Sequence, residues 1–125
     1  MDNPLELEVL GDGTQSKSYL YIDDCVEGVL KGIESNRQIS VFNIGSLDRA
    51  NVLEIAEIVI QETGNPEAVI RTNGGVDGGR GWKGDVKIMQ LDVTKLMTHG
   101  WVAKHNSVDA ITHTTRSIIT KRQKT

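Results

Sequence analysis

Six of the thirteen residues from 73 to 85, NGGVDGGRGWKGD, are glycine. A glycine inside a helix or strand costs about 0.5–1 kcal/mol relative to alanine. Six within one short stretch therefore exclude a regular element there. Whatever fold forms must be built from shorter elements on either side of a loop at 73–85.

On the N-terminal side, Leu5, Leu7 and Val9 alternate with Glu6 and Glu8, which predicts a half-buried strand. GDGT at 11–14 predicts a turn, and SYLYI at 18–22 a second strand. Asp23 or Asp24 is placed to cap a helix whose inner face would carry Val26, Val29, Leu30 and Ile33 before it fades at ESNRQ. VFNI at 41–44 predicts a short strand buried on both faces, ended by Gly45 and Ser46. Asn51 and Glu54 form a capping box for a helix over roughly 52–63, stopped by Gly64 and Pro66. AVIRT predicts another strand.

Beyond the glycines, VKIMQL predicts a strand, Asp92 a cap for a short helix to His99, and Asn106 or Ser107 the start of a last helix. Its inner face would hold Val108, Ile111, Thr115, Ile118 and Ile119. The order β-β-α-β-α-β-loop-β-α-α predicts an α/β fold in one domain over 1–125.

GRGWKG at 79–84 matches G-x-G-x-x-G, the fingerprint of a dinucleotide-binding turn. That turn works only between an entering strand and a leaving helix, whose N-terminus faces the pyrophosphate. Here DVKIMQ comes next, with strand character, so an NAD site is not expected at these glycines. A P-loop is excluded because Lys83 is followed by Gly84. Arg80, Trp82 and Lys83 among freely bending glycines could still hold an anion and cover a ring. They could equally be the solvated side chains of a mobile loop.

The 125 residues carry a formal net charge of −3 and a pI near 5.6, which argues against a broad nucleic-acid surface. The cationic end KRQKT reads as a solvated terminus. Cys25 is the single cysteine, so neither an intrachain disulfide nor a cysteine metal site is expected. The paired acids before it argue against a reactive thiolate. No stretch approaches a membrane span and MDNPLELEVL does not resemble a secretory leader, so a cytoplasmic location is expected. His99, His105 and His113 lack metal-ligand spacing, and no metal site is expected. Lys17, just after the GDG turn, could reach a phosphate or be a strand-edge cation.

Together, LEVLGDGTQSKSYLYIDDCVEGVLKGIE, VFNIGS, NVLEIAEIVI, GRGWKGDV and LDVTKLMTHGW resemble, in order and spacing, the C-terminal part of extended short-chain dehydrogenases/reductases. Within that family they are similar to NAD-dependent nucleotide-sugar epimerases and dehydratases. The resemblance covers roughly Leu5 to Ile119. It implies a partial Rossmann-like fold with a small mixed α/β substrate domain. It also implies that the NAD-binding domain, with its Ser/Thr and Tyr-x-x-x-Lys acid/base groups, is absent here. Four residues after Tyr19 and Tyr21 stand Asp23 and Cys25, so no Tyr-x-x-x-Lys occurs and no catalytic residue is assigned.

By the same resemblance Gly11, Asp12 and Gly13 form a turn before a phosphate-binding cation, here Lys17 in place of the usual arginine. Arg80 would lie near the nucleotide diphosphate, with Trp82 and Lys83 in a substrate loop. Asp23 and Asp24 would cap a helix and brace the sheet, and Asn43 and Gly45 would end a strand near the site.

The residues leave two expectations for function. In one, the chain is the part of an NAD-dependent enzyme that binds a UDP- or other NDP-sugar, inactive alone, with NAD held by the missing N-terminal Rossmann domain. In the other, it is a non-enzymatic remnant or interaction module, forming homo-oligomers through faces that such a domain would cover.

Overall fold

The computed structural model describes residues 5–34 and 39–124. Strand β1, Glu6–Val9, pairs in parallel with β4, Val69–Thr72, in the register Leu7 to Ile70 and Val9 to Thr72. The alternation read from the sequence holds: Val9 is buried and Leu7 half-buried, while Glu6 and Glu8 face water. The chain then bends at Gly11 and Gly13, whose φ values of 100° and 87° suit glycine.

A second sheet has the order β3-β2-β5. β2 (Ser16–Lys17) runs antiparallel to β3 (Ala50–Asn51) and parallel to β5 (Ile88–Met89). This corrects the strand expected at 18–22. The ladder ends where the Ser18 N–H donates to the Met89 carbonyl. The Tyr19 N–H turns away to the Ser107 hydroxyl at 3.1 Å. Beyond Ser18 the backbone thus turns to a side chain and not to a neighbouring strand.

Helix α1, Ile22–Ile33, begins with Tyr21 at the N-cap, without a side-chain cap. Asp23 and Asp24 are therefore not caps; both stand in the first turn, where carboxylates suit the helix dipole. Asp24 is buried, and one of its oxygens accepts from the His105 N–H at 2.9 Å and the His105 imidazole at 3.0 Å. The expected inner face is also corrected. Val26, Val29, Leu30 and Ile33 point outward, and Gly28 is the buried residue of the turn. A Cβ at Gly28 would stand 3.0 Å from both Ile44 and Trp101, so the helix sits on its glycine flank. Glu34 is its C-cap, and the rest of ESNRQ lies outside the described residues.

VFNI forms no strand and is not buried on both faces. Val41 and Asn43 are exposed, and Phe42 and Ile44 half-buried. Helix α2, Val52–Glu62, carries the expected capping box: Asn51 accepts from the Leu53 and Glu54 N–H groups, and Glu54 accepts from the Asn51 N–H. Gly64 follows the C-cap at φ 68°.

Helix α3 is short, Thr94–Met97, and Asp92 stands one residue before its N-cap Val93. The Asp92 carboxylate still accepts from the Thr94 N–H at 2.9 Å. Helix α4, Ser107–Arg122, begins at the second of the two expected starts, with Asn106 as its N-cap. It buries Ala110, Ile111 and Thr115, whereas Val108 and Ile118, assigned inward by periodicity, are exposed. α2 packs on β1, β3 and α4. Among the described residues no helix is long and apolar enough to cross a membrane.

Two carboxylates tie distant segments together. Burial pushes the Asp24 carboxyl up, but the His105 N–H and imidazole outweigh it and hold it below the ordinary carboxylate range. Burial likewise raises Asp48, and the hydrogen bonds from Ser46 and Ser107 bring it below that range. A folded-state value below the unfolded one gives stability that is present at neutral pH and is lost as pH falls through the lowered values. Denaturant midpoints should therefore hold from pH 7 to 5 and drop below about pH 4. Asp24→Asn should flatten that drop, and an unchanged acid slope would contradict this assignment.

Candidate functional site

Between the apolar sides of β1 and α2 lies an open cleft of about 350 Å³. Leu7, Val9, Val52, Ile55 and Val59 make its apolar walls. Lys17, Tyr19, Trp82 and Asp85 also line it. Such a cavity, mostly apolar with a few converging polar groups, suits a flat ring joined to a charged group.

Lys17 enters from β2. Its ammonium stands 2.7 Å from the Asp85 carboxylate and 5.3 Å from the centre of the Trp82 ring. The Asp85 side chain is buried, and its second oxygen accepts from the Gly81 N–H at 3.2 Å. The Lys17 ammonium, with that N–H, holds the Asp85 carboxyl below its ordinary range despite the opposing effect of burial. Asp85 is thus a carboxylate at neutral pH. Burial pushes the Tyr19 phenol up, which keeps it a neutral hydroxyl.

Of the other residues singled out in the sequence, Trp82 lines the cleft, and Arg80, Lys83, Asn43 and Gly45 do not. The Arg80 guanidinium turns back into its own loop: Nε donates to the Asp85 carbonyl at 3.0 Å and Nη1 to the Asp77 carbonyl. Trp82 lines the cleft while staying more than half exposed. Lys83 is exposed and lies outside the lining. Asn43 donates to the Asp92 carbonyl at 2.9 Å, and Gly45 is buried beside Ser18 and Val93.

The GDG turn is fastened to the glycine loop. The Gly11 N–H donates to Asn73 at 2.9 Å, and the Asp12 N–H to the Gly79 carbonyl at 2.9 Å. The Asp12 carboxylate accepts from Lys87 at 2.6 Å and from Thr14. Together they hold it far below the ordinary carboxylate range.

Sequence reading missed Asp85, Lys87, Asn73 and Gln15. Gln15 is buried, with its amide nitrogen donating to the Leu10 carbonyl at 2.8 Å. The Lys17–Asp85 and Asp12–Lys87 pairs span 68 and 75 residues, and no local pattern signals them.

The glycine loop does not fit a dinucleotide. Residues 76 and 80 close a small antiparallel bridge, and beyond Gly84 the chain runs toward β5 and not into a helix. Among the described residues no helix begins between Gly84 and Val93, so none opens directly from these glycines as a pyrophosphate site would require.

Residues 1–45 match the NAD dependent epimerase/dehydratase family. A 53-residue stretch is 45% identical to GDP-mannose 3,5-epimerase 1 of Oryza sativa subsp. indica, covering 42% of this chain and 14% of that protein. A solved UDP-galactose 4-epimerase superposes on 96% of this chain with a TM-score of 0.78 and 37% identity. A UDP-glucuronic acid 4-epimerase from Bacillus cereus, in complex with UDP-glucuronic acid and NAD, covers 94% with a TM-score of 0.72 and 26% identity. The chain spans 37% and 36% of those two structures.

Proposed function

We infer that this chain, a member of the NAD-dependent epimerase/dehydratase family by the match of its first 45 residues and by its fold, is the C-terminal, nucleotide-sugar-binding part of such an enzyme. The observation that carries this reading is the apolar cleft with the Lys17–Asp85 pair and Trp82 on its lining. The base of a UDP- or other NDP-sugar would lie between β1 and α2. Lys17 would give up part of its contact with Asp85 to a diphosphate oxygen. The Asp85 carboxylate repels a phosphate but accepts from a hydroxyl, so it suits the ribose. Tyr19 is a neutral donor at the same wall. Arg80 would act mainly by holding the loop that carries Trp82 and Asp85, with Lys83 adding charge at its rim. Lysine offers a point charge where arginine would offer a two-pronged grip, so modest affinity is expected.

NAD would be held by the N-terminal Rossmann part of the parent enzyme. The 125 residues contain no Tyr-x-x-x-Lys pair, and their glycine loop does not fit the dinucleotide. The chain alone should therefore leave UDP-glucose unchanged even with NAD present.

Calorimetric titration with UDP and with UDP-glucose tests the binding. The wild-type chain should bind both, and Lys17→Ala should weaken binding by about tenfold or more, the ordinary scale for losing a charge-assisted contact. Arg80→Ala should weaken it less. No heat up to millimolar ligand, or equal affinity in Lys17→Ala, would overturn the reading.

A further inference from the structure

The rings of Tyr21, His105 and His113 meet at the N-terminal end of α1, and none of them lines the cleft. Tyr21 is the N-cap of α1, His105 stands in the loop before α4, and His113 lies inside α4. Ring centres are 5.0 Å apart for Tyr21 and His105, 5.6 Å for Tyr21 and His113, and 4.9 Å for the two histidines. Sequence spacing gave the histidines no ligand pattern because His105 stands before the helix and His113 within it. Helical periodicity therefore does not relate them.

Contact between rings would by itself leave an imidazole able to turn. His105 is fixed instead. One Asp24 oxygen accepts from its backbone N–H at 2.9 Å and from its Nδ1 at 3.0 Å. A carboxylate oxygen only accepts, so Nδ1 carries the ring proton, and Nε2 of the neutral ring keeps its lone pair. A carboxylate behind one ring nitrogen is the arrangement that orients an imidazole as a metal ligand and raises its basicity. Burial is graded to match: the Asp24 side chain is 2% exposed and that of His105 28%, while His113 is exposed. The carboxylate sits inside and the imidazoles reach the surface.

The separation of the two imidazoles also suits an ion. Two imidazole nitrogens holding zinc at about 2.0–2.1 Å with tetrahedral angles set their ring centres about 5 Å apart. The 4.9 Å found here agrees. Lys104, next to His105, directs its ammonium to Glu27 at 2.6 Å, so its charge is compensated where it would otherwise oppose a cation. Among the described residues no group of three or more His, Cys, Asp or Glu side chains is placed to hold a metal. The chain thus offers two ligands.

We propose that His105 and His113 bind a zinc ion, with Asp24 orienting His105 and water filling the two remaining positions. The ion clips the loop before α4 to that helix, and Asp24 ties the clip to α1. An ion that binds only the folded chain adds to its stability.

The test uses the untagged 125-residue chain, cleared of metal with a chelator and titrated with zinc chloride by calorimetry. One ion per chain should bind. His105→Ala and His113→Ala should each weaken binding at least about tenfold, and Asp24→Asn about tenfold, the usual loss on removing a partner behind a ligand. His113→Ala is decisive, because the residue is exposed and alanine suits a helix, so the fold survives. In proton NMR the His105 and His113 ring signals should shift together and saturate. Those of His99, whose Nδ1 donates to the Lys95 carbonyl at 2.9 Å beside Phe42, should stay in place. Zinc should raise the denaturant midpoint of the wild-type chain, reversibly on adding chelator, and leave that of His113→Ala unchanged.

No binding up to millimolar zinc would overturn the proposal. So would wild-type affinity in His113→Ala, or ring signals of all three histidines that shift alike, which would mark adventitious surface binding.

Discussion

Gly75→Ala should be among the most damaging single substitutions in this chain, lowering stability by about 2–5 kcal/mol. Gly75 has φ 70°, where an L side chain is strained. A Cβ there would also stand 2.2 Å from the Arg80 carbonyl oxygen and 2.7 Å from the Gly11 Cα. Both are backbone atoms, so no rotamer change can yield the space. Moving Arg80 would break the paired hydrogen bonds with Val76, at 2.9 and 2.8 Å. It would also disturb the bond from Arg80 to the Asp85 carbonyl, and with it the Lys17 contact. UDP binding should fall together with the denaturant midpoint. Gly84→Ala is the control: its φ is also positive, at 87°, but a Cβ there would meet nothing within 4 Å. It should cost only about 1 kcal/mol. Equal losses in the two variants would show that strain alone, without the close approach, governs the loop.

Asp48→Ala should cost about 3 kcal/mol. The Asp48 carboxylate accepts from the Ser46 hydroxyl, from the Ser107 N–H at 3.0 Å and from the Ser107 hydroxyl at 3.0 Å. Both serines are buried. Alanine would leave those donors without this acceptor, and an unpaired buried donor costs about 1–3 kcal/mol. It would also remove a negative charge from the N-terminus of α4. Ser107 in turn accepts from the Tyr19 N–H, so the break should reach the strand end that leads from Lys17. Asp48→Asn keeps one acceptor oxygen and should lose less than half as much. Hydrogen exchange along α4 would read the loosening directly, and an alanine variant as stable as the asparagine one would contradict this role.

Local chemistry made much of this fold legible. The Glu–Leu alternation of β1, the GDG turn, the Asn51–Glu54 capping box and the start of α4 at Asn106 or Ser107 all lie within a few residues of what they determine. Periodicity also found the apolar arc of α1. It could not say what the arc faces, because a stripe of Val, Leu and Ile looks the same whether its cover is in the chain or elsewhere. The inner face of α4 was overextended for the same reason: Val108 and Ile118 have the right spacing but remain open to solvent. Two-residue strands such as Ser16–Lys17 and Ala50–Asn51 carry no period at all. At the site, Lys17 and Trp82 were visible as residue types. The partner that organises them, Asp85, read only as the end of a glycine run, since its role depends on a contact 68 residues away. Arg80 shows the opposite case: its residue type suggested an anion site, while its guanidinium is tied to carbonyls of its own loop.

A nucleotide diphosphate seated in the cleft between Lys17 and Trp82 should be visible through the two tryptophans, because Trp82 is 57% exposed on the cleft lining while Trp101 is buried against α1. In a proton NMR titration with UDP, the Trp82 indole N–H should shift in a saturable way while that of Trp101 stays in place, and Lys17→Ala should suppress the shift. A Trp82 signal that does not move at millimolar UDP, or that moves equally in Lys17→Ala, would contradict binding at this cleft.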